Sequence, residues 1–305
     1  RTSRSSIMEP QGGKPRNPLD IPCKVTGISI RGNQRTKREV IERELRAAAT
    51  AKTHGELAKE LSAATGRMRA LDAFHSTVCD VDVGEDVDDV KVTISVEERG
   101  RHTLGTSAQV TGGEGWLDVA WVYRNFLGRA EQARGTVSVG HLGSNQIKLE
   151  AIQPKAIGNM RAHAQLFHQA CNHLTTSSYK ESRQGASFTA ASPDSPTALT
   201  YELCFRSVKG GTASPDEVEN SIKSSIRHTY LHDTRDDKRL PTRGNLLRNT
   251  YEVAGFFGGN TFWREQLDMQ MHRTFGNLTL SVASSLGVLQ ALGHAKTSVC
   301  DKLFV

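Results

Sequence analysis

Two kinds of hydrophobic periodicity divide the sequence near Gly100. Before it, apolar residues recur at helical spacing, as in the stripe Leu57, Leu61, Ala64, Met68 and Leu71. Such spacing places one apolar face on a helix, which a core usually covers. Beyond Gly100, apolar and polar residues alternate over segments of about 9 to 12 residues, which is typical of strands that bury one face.

Residues 23–100 predict a small α/β module. "KVTGISIRGN" indicates a strand ending in a turn. Two helices should follow, each opened by a capping box, Thr36 with Glu39 and Thr53 with Glu56. "TVCDVDVG" and "VKVTISVEE" then predict two strands. The order β-α-α-β-β suits two helices packed on one side of a three-stranded sheet, with Leu57, Leu61 and Leu71 facing Val92, Ile94 and Val96.

The remaining residues predict strands only, about eleven of them, joined as hairpins. Their second face is rich in Gly, Ser, Thr and Ala with isolated charges, which suits a polar lumen, while the apolar face suits lipid. Aromatic residues gather near strand ends, as at interfacial girdles: Phe126, Phe256, Phe257, Phe262, Trp263 and Phe275. The pattern favours a mainly β, outer-membrane-type antiparallel barrel, with a soluble β-rich binding domain as the alternative.

Composition adds limits rather than a function. The net charge of +6 fits attraction to anionic surfaces of several kinds. The sequence contains no run of about 18 apolar residues, so it predicts no transmembrane helix. The five cysteines form no CxxC pair, which makes a zinc site or disulfide framework unexpected. Residues 1–22, with four prolines, predict a flexible leader, and the acidic run Glu85, Asp86, Asp88 and Asp89 predicts a solvated hairpin loop.

The most densely charged segment is "HDTRDDKRLPTRGNLL", residues 232–247. A metal site, a nucleic-acid patch and a solvated turn compete for it. A metal site needs carboxylates that converge from several elements, whereas here basic residues should neutralise them locally. No interleaved aromatic residue supports nucleic-acid stacking. We interpret the segment as a polar turn at the membrane edge, in which Pro241 fixes the backbone, Gly244 permits positive φ, and Asp236 bonds backbone amides or an arginine such as Arg235 or Arg243.

At this point the sequence resembles a known family. The charged segment, with "YEVAGFFGGNTFWREQLDMQ" after it, is similar to the bacterial surface antigen barrel of the outer-membrane-protein assembly family. In that family the turn between two mid-barrel strands carries the equivalents of Asp233, Arg235, Asp236, Pro241, Arg243 and Gly244. "NFLGRAEQARGTVSVG" resembles the family's early hairpin, and residues 23–100 resemble its polypeptide-transport-associated (POTRA) domain. A single such module is most similar to the mitochondrial sorting and assembly branch.

The resemblance implies a barrel of sixteen strands, of which residues 101–305 would be the N-terminal part. The sequence ends at "SVCDKLFV", before the family's Arg-Gly-Phe loop motif. An open sheet in lipid would leave two unpaired edges, each costly. We therefore expect residues beyond Val305, rather than another chain, to complete the barrel.

The resemblance also implies a function. Family members insert β-barrel precursors through a gate between the first and last barrel strands, so this chain should be no enzyme and need no cofactor or metal. The expected partners are β-barrel precursors, metaxin-type accessory subunits, a cristae-organising complex and the lipid bilayer, with no nucleic acid. The expected location is the mitochondrial outer membrane, with the helical module in the intermembrane space. A passive pore or anchor, and a plastid or bacterial member active in translocation, remain alternatives.

The pairing edge should be the first barrel strand, which follows directly on the module. Its residues are Thr103, Leu104, Gly105, Thr106, Ser107, Ala108, Gln109 and Val110. Gly105 and Ser107 lower its strand propensity, and a weak edge can be parted at small cost. An ordinary closed seam is the competing interpretation. An enzyme with Asp233 and Asp236 as metal ligands and His232 as base is the least favoured one.

Overall fold

A computed structural model describes residues 21–83, 88–173, 179–193, 195–210, 218–293 and 301. They form two compact units, one ending at Gly100 and including residues 127–130, the other comprising residues 101–126 and those from 131 onward. Residues 1–20 of the expected leader, Glu85 and Asp86 of the acidic run, and all of the terminal "SVCDKLFV" except Asp301 lie outside the described residues.

The first unit has the predicted β-α-α-β-β order. Its elements are β1 (Lys24–Arg31), α1 (Arg38–Leu45), a 3-10 turn (Ala48–Thr50), α2 (His54–Ala70), β2 (Phe74–Val83) and β3 (Asp89–Glu98). The strands are ordered β1-β3-β2, with β1 parallel and β2 antiparallel to the central β3.

The core of this unit lies between the helices and the sheet. Leu57, Leu61 and Met68 of α2 are buried in one cluster with Val92 and Ile94 of β3. All five residues of the helical stripe are buried, so the predicted register of α2 is confirmed. Removing such side chains from water supplies about 1.5–3 kcal/mol each.

One predicted helix start is correct and the other is wrong. The Thr53 side chain accepts a hydrogen bond from the Glu56 N–H at 3.2 Å, and α2 begins at the next residue. Helix α1 instead begins at Arg38 after an uncapped Lys37. The hydroxyl and the N–H of Thr36 both donate to Oε1 of Glu98 at 2.7 Å. Thr36, which the local pattern assigns as the helix cap, therefore bonds the Glu98 carboxylate of β3 instead.

The second unit is one eleven-stranded antiparallel sheet. Its strands are β4 (His102–Thr111), β5 (Glu114–Arg124), β6 (Gln132–Gly140), β7 (Asn145–Ile157), β8 (Met160–Asn172), β9 (Tyr179–Ala191), β10 (Thr197–Gly210), β11 (Val218–Asp233), β12 (Gly244–Ala254), β13 (Phe262–Phe275) and β14 (Leu278–Ala291). Within the described part of the chain, every strand of this sheet pairs only with its neighbours in sequence. The predicted fold class and its eleven strands are confirmed.

The two faces of the sheet differ in polarity, because side chains alternate across a strand. On one face, Leu117 stands opposite Val139, and Val119 opposite Val137. These side chains are exposed. On the other face, Asp118 stands opposite Ser138. We call these the apolar and polar faces. A broad, exposed apolar face is expected where lipid is the solvent.

Candidate functional site

Strand β4 contains all eight residues predicted to form the pairing edge. Among the described residues it is bonded only to β5, from His102 opposite Tyr123 to Thr111 opposite Glu114. Its other backbone edge has no strand beside it in this sheet. Every residue of β4 is exposed, and its two large apolar side chains, Leu104 and Val110, are 70% and 79% exposed.

Among the described residues, side-chain hydrogen bonds join β4 to Asp118 and Arg124 of β5. On the polar face, Oδ2 of Asp118 accepts hydrogen bonds from the Ser107 hydroxyl and the Gln109 amide, both at 3.2 Å. Near the start of the strand, Nη1 of Arg124 donates to the Thr103 hydroxyl at 2.7 Å. The Asp118 carboxylate thus bonds two alternate residues of β4. Its loss would weaken the side-chain contacts between β4 and β5.

A stack of rings lies at the start of the same strand, on the apolar face. The His102 ring stacks on Tyr123 with centroids 4.7 Å apart, and Tyr123 continues the stack to Trp121 and Phe126. Amphipathic rings of this kind are enriched where a membrane protein crosses the headgroup layer. The stack supports placing this end of the sheet at a membrane interface.

The sheet has a second edge at β14, which pairs only with β13 among the described residues. Its apolar-face residues Leu278, Leu280, Val282, Leu286 and Val288 are all exposed. Hence β14 is more apolar than β4. An unpaired edge alone does not distinguish the two strands, and the assignment of the gate to β4 stays a prediction.

The charged segment is an inter-strand turn between β11 and β12. Asp236 organises it: its carboxylate accepts the N–H groups of Asp237, Thr242 and Arg243 and the Thr242 hydroxyl. The Thr242 hydroxyl, followed by the N–H groups of Arg243 and Thr242, holds the pKa of Asp236 far below its usual range. This carboxylate has a structural role in closing the turn.

The other carboxylates of the turn are also engaged. Asp237 accepts the N–H groups of Arg239 and Leu240, and these bonds lower its pKa. Asp233 forms a two-pronged ion pair with Arg235, which also donates to Gln270 of β13. Only this one pair shows the expected neutralisation by neighbouring basic side chains. Asp236 bonds backbone amides, which is the first of the two arrangements predicted for it, and Asp237 also bonds backbone N–H groups rather than a basic side chain.

Gly244 closes the turn where no other residue fits. Its φ is +101°, and a Cβ there would lie 2.2 Å from the carbonyl oxygen of Thr234. Positive φ is costly for residues with a side chain. Gly244 is therefore required by the path of the chain as it enters β12. Pro241 lies in the same turn, and the prediction that the turn holds no divalent ion stays a prediction.

Sequence reasoning missed a buried charge cluster on the polar face. Glu252 of β12 is fully buried. Its carboxylate meets Nζ of Lys223 at 2.6 Å, Nη2 of Arg227 at 3.3 Å and Nη2 of Arg264 at 2.6 Å. Glu202 lies 3.5 Å from Lys223. The members come from four strands, and only the register of the finished sheet brings them together.

A second buried pair joins Arg206 of β10 to Asp301, with Nη1 and Oδ1 2.8 Å apart. Both side chains are almost fully buried. Asp301 follows β14 in the chain, and this contact fixes it against the polar face of the sheet. No local signal in the sequence marks the two as partners, because they are 95 positions apart.

Within the part of the chain that the structure describes, no helix combines the length and the apolar character required to cross a membrane.

Comparisons with known proteins agree with this architecture. Residues 125–305 match the Omp85 superfamily domain, and residues 23–99 match the POTRA family described as surface antigen variable number repeat. The chain is 27% identical over 318 residues to a SAM50-like protein of Schizosaccharomyces pombe, covering 93% of this chain and 65% of that protein. It is 26% identical over 294 residues to the human sorting and assembly machinery component 50 homolog, covering 92% and 62%.

Solved structures share the fold at low sequence identity. BamA from Haemophilus ducreyi lacking POTRA domains 1–3 aligns with a TM-score of 0.69 at 14% identity, covering 90% of this chain and 57% of that one. CdiB from Escherichia coli aligns with a TM-score of 0.53 at 12% identity, covering 89% and 55%. The chain thus spans slightly less than two thirds of the length of the curated relatives that it matches.

Proposed function

Since the chain belongs to the Omp85 superfamily, we propose that it inserts and assembles β-barrel precursor proteins in the mitochondrial outer membrane, with the free edge of β4 as the lateral gate. The similarity to proteins named as sorting and assembly machinery components supports this membrane and this process. The observation that carries the proposal is that β4 is exposed along its whole length and, among the described residues, pairs with β5 alone.

The mechanism is strand addition. An unpaired edge presents backbone N–H and C=O groups, which an incoming strand can satisfy by continuing the sheet. In a bilayer the driving force for this pairing is large, because an unsatisfied backbone group there costs several kcal/mol. The precursor would pair with β4, add its strands one after another, and leave when closure of its own barrel removes its edges.

The chain's own residues suit this process. β4 has only two large apolar side chains and a glycine at position 105, and its polar-face contacts to β5 centre on Asp118. Parting β4 from another strand on its free side would leave these contacts intact. No bond of the precursor is made or broken covalently, so the proposed activity is not enzymatic and uses no cofactor.

We further propose the partners and the topology that the family resemblance implies. The substrates would be β-barrel precursors, with metaxin-type subunits as accessory partners and the lipid bilayer as the solvent of the apolar face. The helical module would lie in the intermembrane space.

Cysteine crosslinking of an arrested precursor tests the gate. Single cysteines from Thr103 to Val110 should crosslink to the final strand of the precursor at every second position, because side chains alternate across the pairing.

The Arg124 N–H donates to the Arg101 carbonyl at 2.8 Å, so by alternation the N–H groups of odd-numbered residues in β4 bond β5, and the Ala108 N–H points to the free edge. Proline at Ala108 should therefore block insertion, since proline has no N–H. Proline at Ser107 or Gln109, whose N–H groups bond β5, is the control that removes no donor from the free edge.

The result also separates the proposal from its rival. Crosslinks confined to residues 278–288, with none on β4, would move the gate to the other edge. Normal precursor insertion by every proline variant, with no crosslinks at either edge, would indicate a passive pore or anchor instead.

A further inference from the structure

The turn between β11 and β12 presents basic side chains that no carboxylate neutralises. Asp236 and Asp237 are occupied by backbone N–H groups, and Asp233 by Arg235. Among the described residues, Arg239 and Arg243 have no side-chain hydrogen bond or ion pair. Both are exposed. The acidic residues that balance the turn in sequence therefore leave Arg239 and Arg243 without an ion pair among the described residues.

A third unpaired cation lies beside this turn on the next strand. Arg273 is exposed near the end of β13, and no carboxylate contacts it among the described residues. The last pair of β12 with β13 is Gly244 opposite His272, and Arg243 and Arg273 are the next residues outward on the two segments. The Thr274 hydroxyl donates to the Thr242 carbonyl at 2.9 Å and holds the turn against this strand end.

The neighbourhood of Arg273 is apolar. His272 points to the polar face, where its ring bonds the Ser281 hydroxyl at 2.8 Å. By alternation Arg273 lies on the apolar face, opposite Leu280. The exposed side chains of Met271 and Phe275 flank it on the same strand and face. The Arg273 guanidinium therefore lies near the end of β13, at the border of the apolar face.

We propose that Arg243 and Arg273 together bind the phosphodiester headgroup of an anionic phospholipid whose acyl chains lie on the apolar face of β13 and β14. Like charges on adjacent strands are unfavourable unless a counter-ion lies between them. A phosphate oxyanion matches the planar guanidinium donors of two arginines. The acyl chains of the lipid would contact the adjoining Met271, Phe275 and Leu280. A soluble anion has no acyl chains and would gain nothing from these side chains.

The site rests on the proposed membrane location but not on the insertion activity. An acidic protein segment could also bind two arginines. The lipid is the better fit because the pair lies where two strands leave the apolar face, at the depth where headgroups would begin.

Native mass spectrometry of the full-length protein in detergent tests the site, with dioleoyl phosphatidylglycerol and dioleoyl phosphatidylcholine as competing probes. The wild type should retain phosphatidylglycerol preferentially. The double variant Arg243→Gln/Arg273→Gln should lose about thirtyfold in that preference, the change expected when two cations beside an anionic headgroup are removed. The control Arg161→Gln/Lys209→Gln removes two exposed charges elsewhere on the sheet and should keep the preference.

Further arms separate the outcomes. Unchanged phosphatidylglycerol retention in the double variant overturns the proposal, as does complete displacement of the lipid by millimolar glycerol phosphate, which would indicate a site for soluble anions. If the double variant binds an oligoglutamate peptide more weakly than the wild type but retains phosphatidylglycerol equally well, the arginine pair would be assigned to an acidic protein partner instead. If the glutamine variant does not fold, the Arg→Lys pair keeps the charge but loses the guanidinium geometry, and it should bind severalfold more weakly. Alkaline carbonate extraction of the wild type tests the membrane location separately.

Discussion

Substitution of Glu98 by glutamine tests a multiply bonded carboxylate of the POTRA module. Its carboxylate accepts four donors from the segment that precedes α1: the N–H and Nε of Arg35 and the N–H and hydroxyl of Thr36. The side chain is 5% exposed. Burial alone would raise the pKa of Glu98, but the bonds from Thr36 and Arg35 outweigh it and lower that pKa.

Glutamine keeps the shape and one acceptor oxygen. If that oxygen stays on Thr36, the new amide group faces Nε of Arg35, which lies 2.8 Å from the present oxygen. Two donors would then oppose each other. Losing one charge-assisted hydrogen bond and leaving a donor unpaired should lower the free energy of unfolding by about 2–3 kcal/mol.

Urea unfolding of residues 21–100, followed by circular dichroism, measures this loss. Glu97→Gln is the matched control, because Glu97 is the exposed neighbour and its side chain accepts a hydrogen bond from Ser76 alone among the described residues. It should change stability by less than about 0.5 kcal/mol. Equal effects of the two substitutions would refute the assignment of Glu98 as the anchor of the segment before α1.

The pH dependence gives a second reading of the same bond network. Because the folded-state pKa of Glu98 is lowered, its contribution is fully present above the ordinary pKa of about 4.3 and is lost as the pH falls through the folded-state value. The difference between wild type and Glu98→Gln should therefore shrink below about pH 4. A difference that is constant from pH 7 to pH 3 would contradict the ionised, multiply bonded carboxylate.

Three other expectations can be measured directly. Leu61→Ala should destabilise the module by about 2–5 kcal/mol, whereas Ser62→Ala, exposed on the same helix, should not; a change below about 0.5 kcal/mol would contradict the register of α2. Purified protein should contain no stoichiometric Mg, Ca or Mn by elemental analysis, and a metal lost on Asp236→Asn would overturn the structural role of the turn. Glu252→Gln should lower the temperature at which the folded species disappears on heat-modifiable gels, because three buried or half-buried cations would lose their shared carboxylate; an unchanged temperature would show that the cluster is not needed for stability.

The features that the sequence predicted depend on short-range periodicity. The stripe on α2 and the alternation in β4–β14 each involve residues a few positions apart, so fold class, strand number and family resemblance could be inferred and are confirmed. The features it missed depend on distant partners. Thr36 lies 62 positions from Glu98, and a local capping pattern cannot reveal that competition. The Glu252 cluster likewise required a register that alternation does not define.

The strictly sequential order of β4–β14 also bears on how the sheet can be made. The most widely separated partners within it, Thr197 and Tyr230, are 33 positions apart, whereas β1 and β3 of the module join Lys24 to Asp89 across 65. Short loops close at low entropic cost, and topologies rich in local pairing form quickly. Each new strand therefore needs only the one before it as a template. The sheet could grow hairpin by hairpin as its chain arrives, which is the same order of events that we propose it imposes on its substrates.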